Sequence, residues 1–162
     1  MAVITFRYDL PLEQTMAFED VYHPNLRLSL LDKQDLRDAP DAIFVWMLSD
    51  RTLAGEAYGI PLSCWNEPIQ GLSRLTNAER RDAVYCYSNT VLPAFQRQGL
   101  GTILKAHWLG LVLARGFRVV YGHARPGGSQ ALNLKFGAAL LDGFQDWYGT
   151  GEEYRLYRLA LE

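Results

Sequence analysis

Apolar and polar positions follow two different periods along the chain, and their order predicts a mixed α/β domain. Alternating, β-branched or aromatic stretches predict strands at residues 1–8, 42–48, 52–60, 83–91, 117–124, 142–147 and 154–161. Helical spacing and helix-start residues predict helices at residues 12–22, 32–38 and 99–114, a short one starting at 76, and one near 129–136. Strands therefore open the chain, alternate with helices and close the chain, which predicts a mixed sheet covered by helices.

Local residues support these boundaries. The tight turn at residues 49–51 predicts a hairpin between the second and third strands, whereas residues 61–74 show no regular pattern. Thr76 and Glu79 match a capping box, and Gly116 ends the clearest helix. One apolar stripe follows that helix and contains Leu100, Ile103, Leu104, Trp108, Leu111 and Val112.

Length, charge and cysteine usage narrow the class of protein. A chain of 162 residues that is 49% hydrophobic can bury a sizeable core, so we expect a single domain spanning residues 1–162. The net charge of −2 argues against capture of nucleic acid. No apolar run suits a membrane span and residues 1–15 lack a secretory layout, so we expect a cytoplasmic protein without a membrane partner. Cys64 and Cys86 have no partners at metal spacing, so no metal site is predicted.

The most informative stretch lies between the fourth predicted strand and the clearest helix, at residues 96–102. A helix N-terminus carries unpaired backbone N–H groups and positive potential, and glycines such as Gly99 and Gly101 let a ligand approach closely. These features predict an anion site suited to a pyrophosphate, to which Arg97 and Lys105 could add charge. A simple tight turn is the alternative. The dinucleotide fingerprint and the P-loop are both excluded by their spacing.

Residues 91–101 read VLPAFQRQGLG and resemble motif A of the GNAT N-acetyltransferases. Residues 129–138 (SQALNLKFGA) are similar to a later helix of that family, and residues 146–161 (DWYGTGEEYRLYRLAL) are similar to the segment that leads into its last strand. The resemblance implies a mixed, mostly antiparallel sheet of about six to seven strands. About four helices would flank this sheet, and one strand pair would be splayed at the cofactor site.

The resemblance also implies acetyl-CoA as co-substrate. It places the pantetheine arm on the backbone of Asn89, Thr90 and Val91, and it makes the Val91 amide the oxyanion donor. Asn133 stands where many relatives have a tyrosine that acts as the general acid toward the CoA thiolate, and we interpret Asn133 as a cofactor-positioning residue. The diphosphate would lie on the amides of Arg97, Gln98, Gly99, Leu100, Gly101 and Thr102.

The catalytic residues are less clearly indicated. Tyr85 falls where some relatives carry a carboxylate base, and a tyrosine with a pKa near ~10 is a poor base at neutral pH. Glu56 could face the acceptor, and His123 has an intrinsic pKa suited to proton shuttling at pH 7. Tyr148 resembles an acceptor-site aromatic residue. For each of the four, a purely structural role is the alternative.

The sequence therefore predicts an acetyl-CoA-dependent N-acetyltransferase that acts on a primary amine by direct attack in a ternary complex. The first rival is a non-catalytic acyl-CoA-binding module, because no base or acid is evident. The second rival is a purely structural domain. A homodimer formed through edge strands is left open.

Overall fold

The computed structural model describes residues 1–65 and 67–162. Its strands are β1 (Ile4–Arg7), β2 (Ile43–Ser49), β3 (Thr52–Pro61), β4 (Ala83–Val91), β5 (Val119–Ala124), β6 (Ala139–Phe144) and β7 (Tyr154–Ala160). Its α-helices are α1 (Leu30–Asp38), α2 (Asn77–Arg81), α3 (Leu100–Ala114) and α4 (Gly128–Lys135). Short 3-10 helices occupy Leu12–Val21, Pro24–Leu26, Leu62–Cys64, Pro93–Phe95 and Trp147–Gly149.

In this described part of the chain the strands form one seven-stranded sheet of order β1-β2-β3-β4-β5-β7-β6. Neighbouring strands are antiparallel except for the parallel pair β4–β5. The turn between β2 and β3 has Asp50 and Arg51 both at positive φ, which is typical of a type I′ hairpin. The predicted mixed, mostly antiparallel sheet with about four helices is confirmed.

The structure corrects the type of one predicted element and the bounds of another. The predicted helix at residues 12–22 is a 3-10 helix, in which the buried Thr15 hydroxyl donates to the Leu12 carbonyl and competes with α-helical bonding. The predicted strand at residues 142–147 starts earlier, at Ala139, and ends at Phe144. It ends there because the chain soon enters a turn in which Asp146 has a positive φ.

Helix α3 packs against β2, β3 and β4 in the middle of the sheet. Trp108 is completely buried, and its indole N–H donates to the Ile43 carbonyl over 3.0 Å. A Cβ atom on Gly59 would come within 2.7 Å of the Trp108 ring and 2.5 Å of the Tyr85 carbonyl oxygen. A glycine at this position therefore allows α3 and β4 to approach β3 closely.

Strands β4 and β5 pair over only three residues, Ala83–Tyr85 with Val119–Tyr121. The β3–β4 register shifts between Tyr58 and Gly59, and beyond that irregularity β4 continues to Val91 without pairing to β5. A bulge bends its strand and increases the local twist, which accounts for the divergence. The predicted splayed strand pair is present, and it opens a cleft in the sheet.

Candidate active site

The cleft between β4 and β5 contains a cavity of about 550 Å³. Its walls come from the second half of β4, the end of β5, the first turns of α3 and helix α4. The residues that line it include Cys86, Ser88, Asn89, Thr90, Val91, Arg97, Gly101, Lys105, His123, Ser129, Leu132 and Asn133. Of the predicted cofactor residues, six line this cavity and four do not: Asn89, Thr90, Val91, Arg97, Gly101 and Asn133 line it, whereas Gln98, Gly99, Leu100 and Thr102 are outside its lining.

The backbone of β4 faces this cavity at alternate residues. The Leu92 N–H donates to the Ala54 carbonyl of β3 over 2.9 Å. Because hydrogen-bonding groups alternate in direction along an antiparallel strand, Thr90 also points its N–H toward β3, contrary to the expectation that its backbone binds the pantetheine arm. Asn89 and Val91 then direct theirs toward the cleft, where β5 has moved away. Thr90 therefore contributes its side chain to the cavity wall rather than its backbone N–H.

Backbone N–H groups also converge at the start of α3. Gly99 has φ 76° and Arg97 has φ 62°, so both residues adopt the left-handed conformation on either side of Gln98. The Gln96 N–H donates to the Pro93 carbonyl, and the Ile103 N–H donates to the Gly99 carbonyl. Between them, no protein acceptor within the described residues receives the N–H groups of residues 97–102. Such alternating conformations form a concave anion site.

Two amide side chains in the cavity wall have unsatisfied polar atoms. Asn133 is 4% exposed, and its Nδ2 donates to the Ser129 carbonyl over 2.9 Å while its Oδ1 has no partner in the described chain. The buried Nδ2 of Asn89 likewise has no partner there. A free acceptor and a free donor suit the N–H and C=O groups of an amide-containing ligand, and unsatisfied buried groups cost about 1–3 kcal/mol each.

Lys105 does not lie in solvent but is almost fully buried at the inner end of the cavity. Its Nζ lies 3.9 Å from the Cys86 Sγ and 3.3 Å from the Tyr157 hydroxyl. Burial lowers the pKa of this amine because desolvation disfavours the charged form. Arg97 is exposed at the rim, so of these two residues Arg97 is the accessible one for a phosphate.

A second cavity of about 340 Å³ adjoins the first. Four residues line both cavities: Tyr22, Tyr87, His123 and Tyr154. We call the place that they enclose the junction of the two cavities. Tyr85 and Tyr148, two of the predicted candidates, line the second cavity. Tyr148 is 58% exposed and belongs to the 3-10 turn that follows β6.

Tyr85 and His123 form one hydrogen-bonded pair at this junction. The Tyr85 hydroxyl lies 2.7 Å from the His123 Nδ1, and the His123 Nε2 lies 3.0 Å from the Gln70 carbonyl. Because a carbonyl only accepts, Nε2 carries the proton, Nδ1 accepts, and the tyrosine donates. Burial lowers the pKa of His123 to about 4. His123 is therefore a weaker base than a free imidazole, and its role as a proton shuttle stays a prediction.

Glu56 does not face either cavity, contrary to the expectation from the sequence. It is fully buried between the sheet and the N-terminal helices, where its Oε2 lies 2.8 Å from the Lys33 Nζ and accepts from the Trp46 indole over 2.7 Å. The same ammonium lies 3.2 Å from Glu19. Burial raises the pKa of Glu56 to about 7, and Lys33 opposes that rise. We call Glu19, Lys33 and Glu56 the buried ion cluster.

Tyr22 is a site residue that sequence reasoning missed. Its hydroxyl hydrogen-bonds both Ser88 and Thr90 on β4, which fixes the 3-10 segment across the junction of the two cavities. Burial raises the pKa of this phenol, so it stays protonated at neutral pH. Trp65 and Trp147 in the second cavity were missed as well, because tryptophan in a sequence indicates core packing as readily as a pocket wall.

Residues 1–65 and 67–162 contain no group of three His, Cys, Asp or Glu side chains placed to hold a metal ion. Over the same ranges, every helix is too short or too polar to cross a membrane.

Solved acetyltransferase structures share this architecture. The ribosomal-protein-S18-alanine N-acetyltransferase of Escherichia coli superimposes with a TM-score of 0.74 at 16% identity, covering 99% of this chain and 95% of that one. NAA60 of Arabidopsis thaliana in complex with acetyl-CoA gives 0.75 at 17% identity, covering 98% of each chain. The ribosomal-protein-alanine N-acetyltransferase of Brucella melitensis gives 0.74 at 16%, covering 97% and 99%. No family model and no curated protein matches the sequence. The structural likeness shows a common fold.

Proposed function

We propose that this chain, which has the GNAT N-acetyltransferase fold, binds acetyl-CoA in the β4–β5 cleft and transfers the acetyl group to a primary amine. The observation that carries the proposal is the set of unpaired N–H groups at the start of α3, beside a cleft whose walls present unpaired amide atoms. A diphosphate and a chain of amides are the two chemical features of coenzyme A that these groups complement.

Every predicted cofactor residue except Thr90, whose N–H points toward β3, has a part in this arrangement. The diphosphate lies on the backbone N–H groups of residues 97–102, with the Arg97 guanidinium at the rim. The pantetheine arm pairs with the free backbone edge of β4 at Asn89 and Val91, as an added strand would. Asn133 accepts from a pantetheine N–H through its free Oδ1. The thioester then lies near Val91, whose amide N–H polarises the carbonyl as an oxyanion donor.

The amine reaches the thioester through the junction of the two cavities. There the Tyr85 hydroxyl donates a hydrogen bond to His123. The lone pairs of the hydroxyl oxygen are free to accept a hydrogen bond from the amine N–H, which orients the nucleophile. His123 holds the tyrosine, and burial makes it a poor acceptor for the amine proton because it lowers the pKa of the imidazole to about 4. As the N–C bond forms, the C–S bond breaks and coenzyme A leaves as its thiolate, while the proton of the attacking amine passes through solvent to that thiolate. Catalysis therefore comes mainly from positioning and oxyanion stabilisation.

The first prediction tests the activity itself. We expect saturating acetyl-CoA to stabilise the protein by about 2.7 kcal/mol at 100 times the Kd, and we expect free thiol to be released when a suitable amine is added. Thermal unfolding and a thiol assay over a broad amine panel measure both. Stabilisation without thiol release from any amine would identify the non-catalytic module instead. Absence of stabilisation would exclude coenzyme A as the ligand.

The second prediction concerns the Tyr85 hydroxyl. We expect Tyr85→Phe to lower kcat about 10- to 100-fold with an unchanged Kd for acetyl-CoA, because it removes the hydrogen bond to the amine together with the one to His123, and neither bond involves the cofactor. The matched control is Tyr121→Phe, a buried tyrosine that pairs with Tyr85 across the β4–β5 ladder and lines neither cavity. Equal kcat values for the Tyr85→Phe variant and the wild type would exclude this role.

A further inference from the structure

The second cavity is walled mainly by aromatic rings. Among its lining residues that the structure describes, seven are aromatic: Tyr22, Trp65, Tyr85, Tyr87, Trp147, Tyr148 and Tyr154. Leu26, Leu28 and Ile69 add apolar side chains to this wall. Its volume of about 340 Å³ is at the lower end of the ~300–1,000 Å³ range of small-molecule sites. The wall therefore suits a compact ligand with an apolar or aromatic body.

The backbone between β6 and β7 is shaped to present two of these rings. Asp146 and Tyr148 have φ values of 48° and 49°, a left-handed conformation that is unfavourable for residues other than glycine. Trp147, which lies between them, stacks on His123 at a centroid distance of 4.2 Å and packs edge-on against Tyr148 at 4.8 Å. The strained turn thus places an indole beside the junction where the amine would react.

Asn25 ties the two sides of this cavity together. Its Nδ2 donates to the Tyr148 carbonyl over 3.1 Å and to the Gly149 carbonyl over 3.2 Å. These bonds join the 3-10 turn Pro24–Leu26 to the turn after β6, and residues of both turns line the cavity. An extended polypeptide cannot pass between these two segments while the bridge is in place. The geometry favours a small molecule over a peptide.

Fixed charge at this cavity is low. In the described lining, Glu67 carries the carboxylate and Arg27 the guanidinium, and both residues are exposed. The Arg27 side chain is already used, because it donates to the carbonyls of Tyr22 and Asp20. One exposed carboxylate offers little to a polycation. An apolar environment also favours the neutral form of a bound amine, which is the form that attacks a thioester.

From these observations we infer that the acceptor is a small primary amine with an aromatic body, of the arylalkylamine class. The inference rests on the proposed acetyl transfer and names the substrate of that same site. The ring of the acceptor packs among Trp65, Trp147 and Tyr148. Its alkylamine end reaches the junction beside Tyr85, where the thioester is held.

The test compares acceptors that differ in one feature. The probes are 2-phenylethylamine, ethylamine, spermidine and a short peptide with a free N-terminus and one lysine. We expect kcat/KM for 2-phenylethylamine to exceed that for ethylamine by about 10- to 100-fold, because the ring is buried against the aromatic wall. We expect spermidine and the peptide to be at least tenfold poorer than 2-phenylethylamine.

Two variants and one control locate the effect. Tyr148→Ala should lower kcat/KM for 2-phenylethylamine at least fivefold more than it lowers that for ethylamine, whereas the control Tyr8→Ala, at an exposed tyrosine outside both cavities, should change neither. Asn25→Ala removes the bridge and should raise kcat/KM for the peptide at least tenfold. Higher or equal kcat/KM for spermidine or the peptide with the wild-type protein would overturn this inference alone. Transfer to none of the amines would overturn the proposed function itself.

Discussion

Replacing Gly99 with valine should weaken acetyl-CoA binding at least 100-fold while the domain stays folded. At φ 76° a β-branched residue is strongly disfavoured, although a Cβ atom there would meet nothing within 4 Å. The valine therefore acts through the backbone: the turn relaxes, and the N–H groups of residues 97–102 no longer converge. A 100-fold loss corresponds to about 2.7 kcal/mol, which is the loss of a few helix-terminus contacts of ~0.3–2 kcal/mol each.

The matched control for this variant is at the other end of the same helix. Gly116 also has a positive φ of 92° and open space around its Cβ position. Gly116→Val therefore imposes a comparable backbone strain without touching the cofactor cavity. Calorimetric titration with acetyl-CoA should give a wild-type Kd for Gly116→Val, with thermal unfolding measuring the strain in both variants. A wild-type Kd for Gly99→Val would exclude the N–H groups of this turn as the diphosphate site.

Replacing Lys33 with methionine should destabilise the protein by about 3–5 kcal/mol. This ammonium is fully buried between two carboxylates, 2.8 Å from Glu56 and 3.2 Å from Glu19, and it also donates to the Thr15 carbonyl. Removal of one partner leaves buried negative charge without compensation, which costs far more than the pair itself contributes. Denaturant unfolding should show the loss directly, and thermal unfolding should show a fall in Tm of roughly 10 °C.

The pH dependence of this loss separates charge from packing. Burial raises the pKa of Glu56 from 4.5 to about 7, so its protonated form is favoured in the folded state and stability falls as pH rises through that range. Without Lys33 the pKa rises further, and the deficit relative to wild type should be larger at pH 8 than at pH 5.5. The control is Lys135→Met, an exposed lysine, with an expected change within ~0.5 kcal/mol. A deficit that does not vary with pH would contradict the electrostatic explanation.

Much of the cofactor side of the molecule could be predicted because its determinants are local. The glycine pair, the preceding strand and the apolar stripe of α3 lie within about thirty consecutive residues, and backbone groups there need no particular side chain. The structure places Gly101 and Asn133 at one cleft, and Gly99, with its positive φ, lies in the turn that leads to it. Periodicity likewise identified β4 at its full length and α3 to within one residue.

The second cavity could not be predicted, because the residues that line it are distant in sequence. The aromatic wall combines Tyr22, Trp65, Tyr85 and Trp147 from four separate segments. An isolated tyrosine or tryptophan has the same appearance in a sequence whether it fills the core or lines a cavity. The same limit explains why the surroundings of Glu56 and His123 could not be predicted. The sequence contains nothing to show that Glu56 would be paired with Lys33, or that burial would bring the pKa of His123 to about 4.

The amino-acid sequence alone determined the order of strands and helices and the turn at which α3 begins, since hydrophobic periodicity and glycine conformation act over a few residues. Only the tertiary structure decided which polar groups are left unpaired in the cleft, which carboxylate is neutralised in the interior, and which rings enclose the second cavity. These properties depend on burial and on contacts between distant segments. Desolvation and hydrogen-bond partnership arise only when the chain is packed.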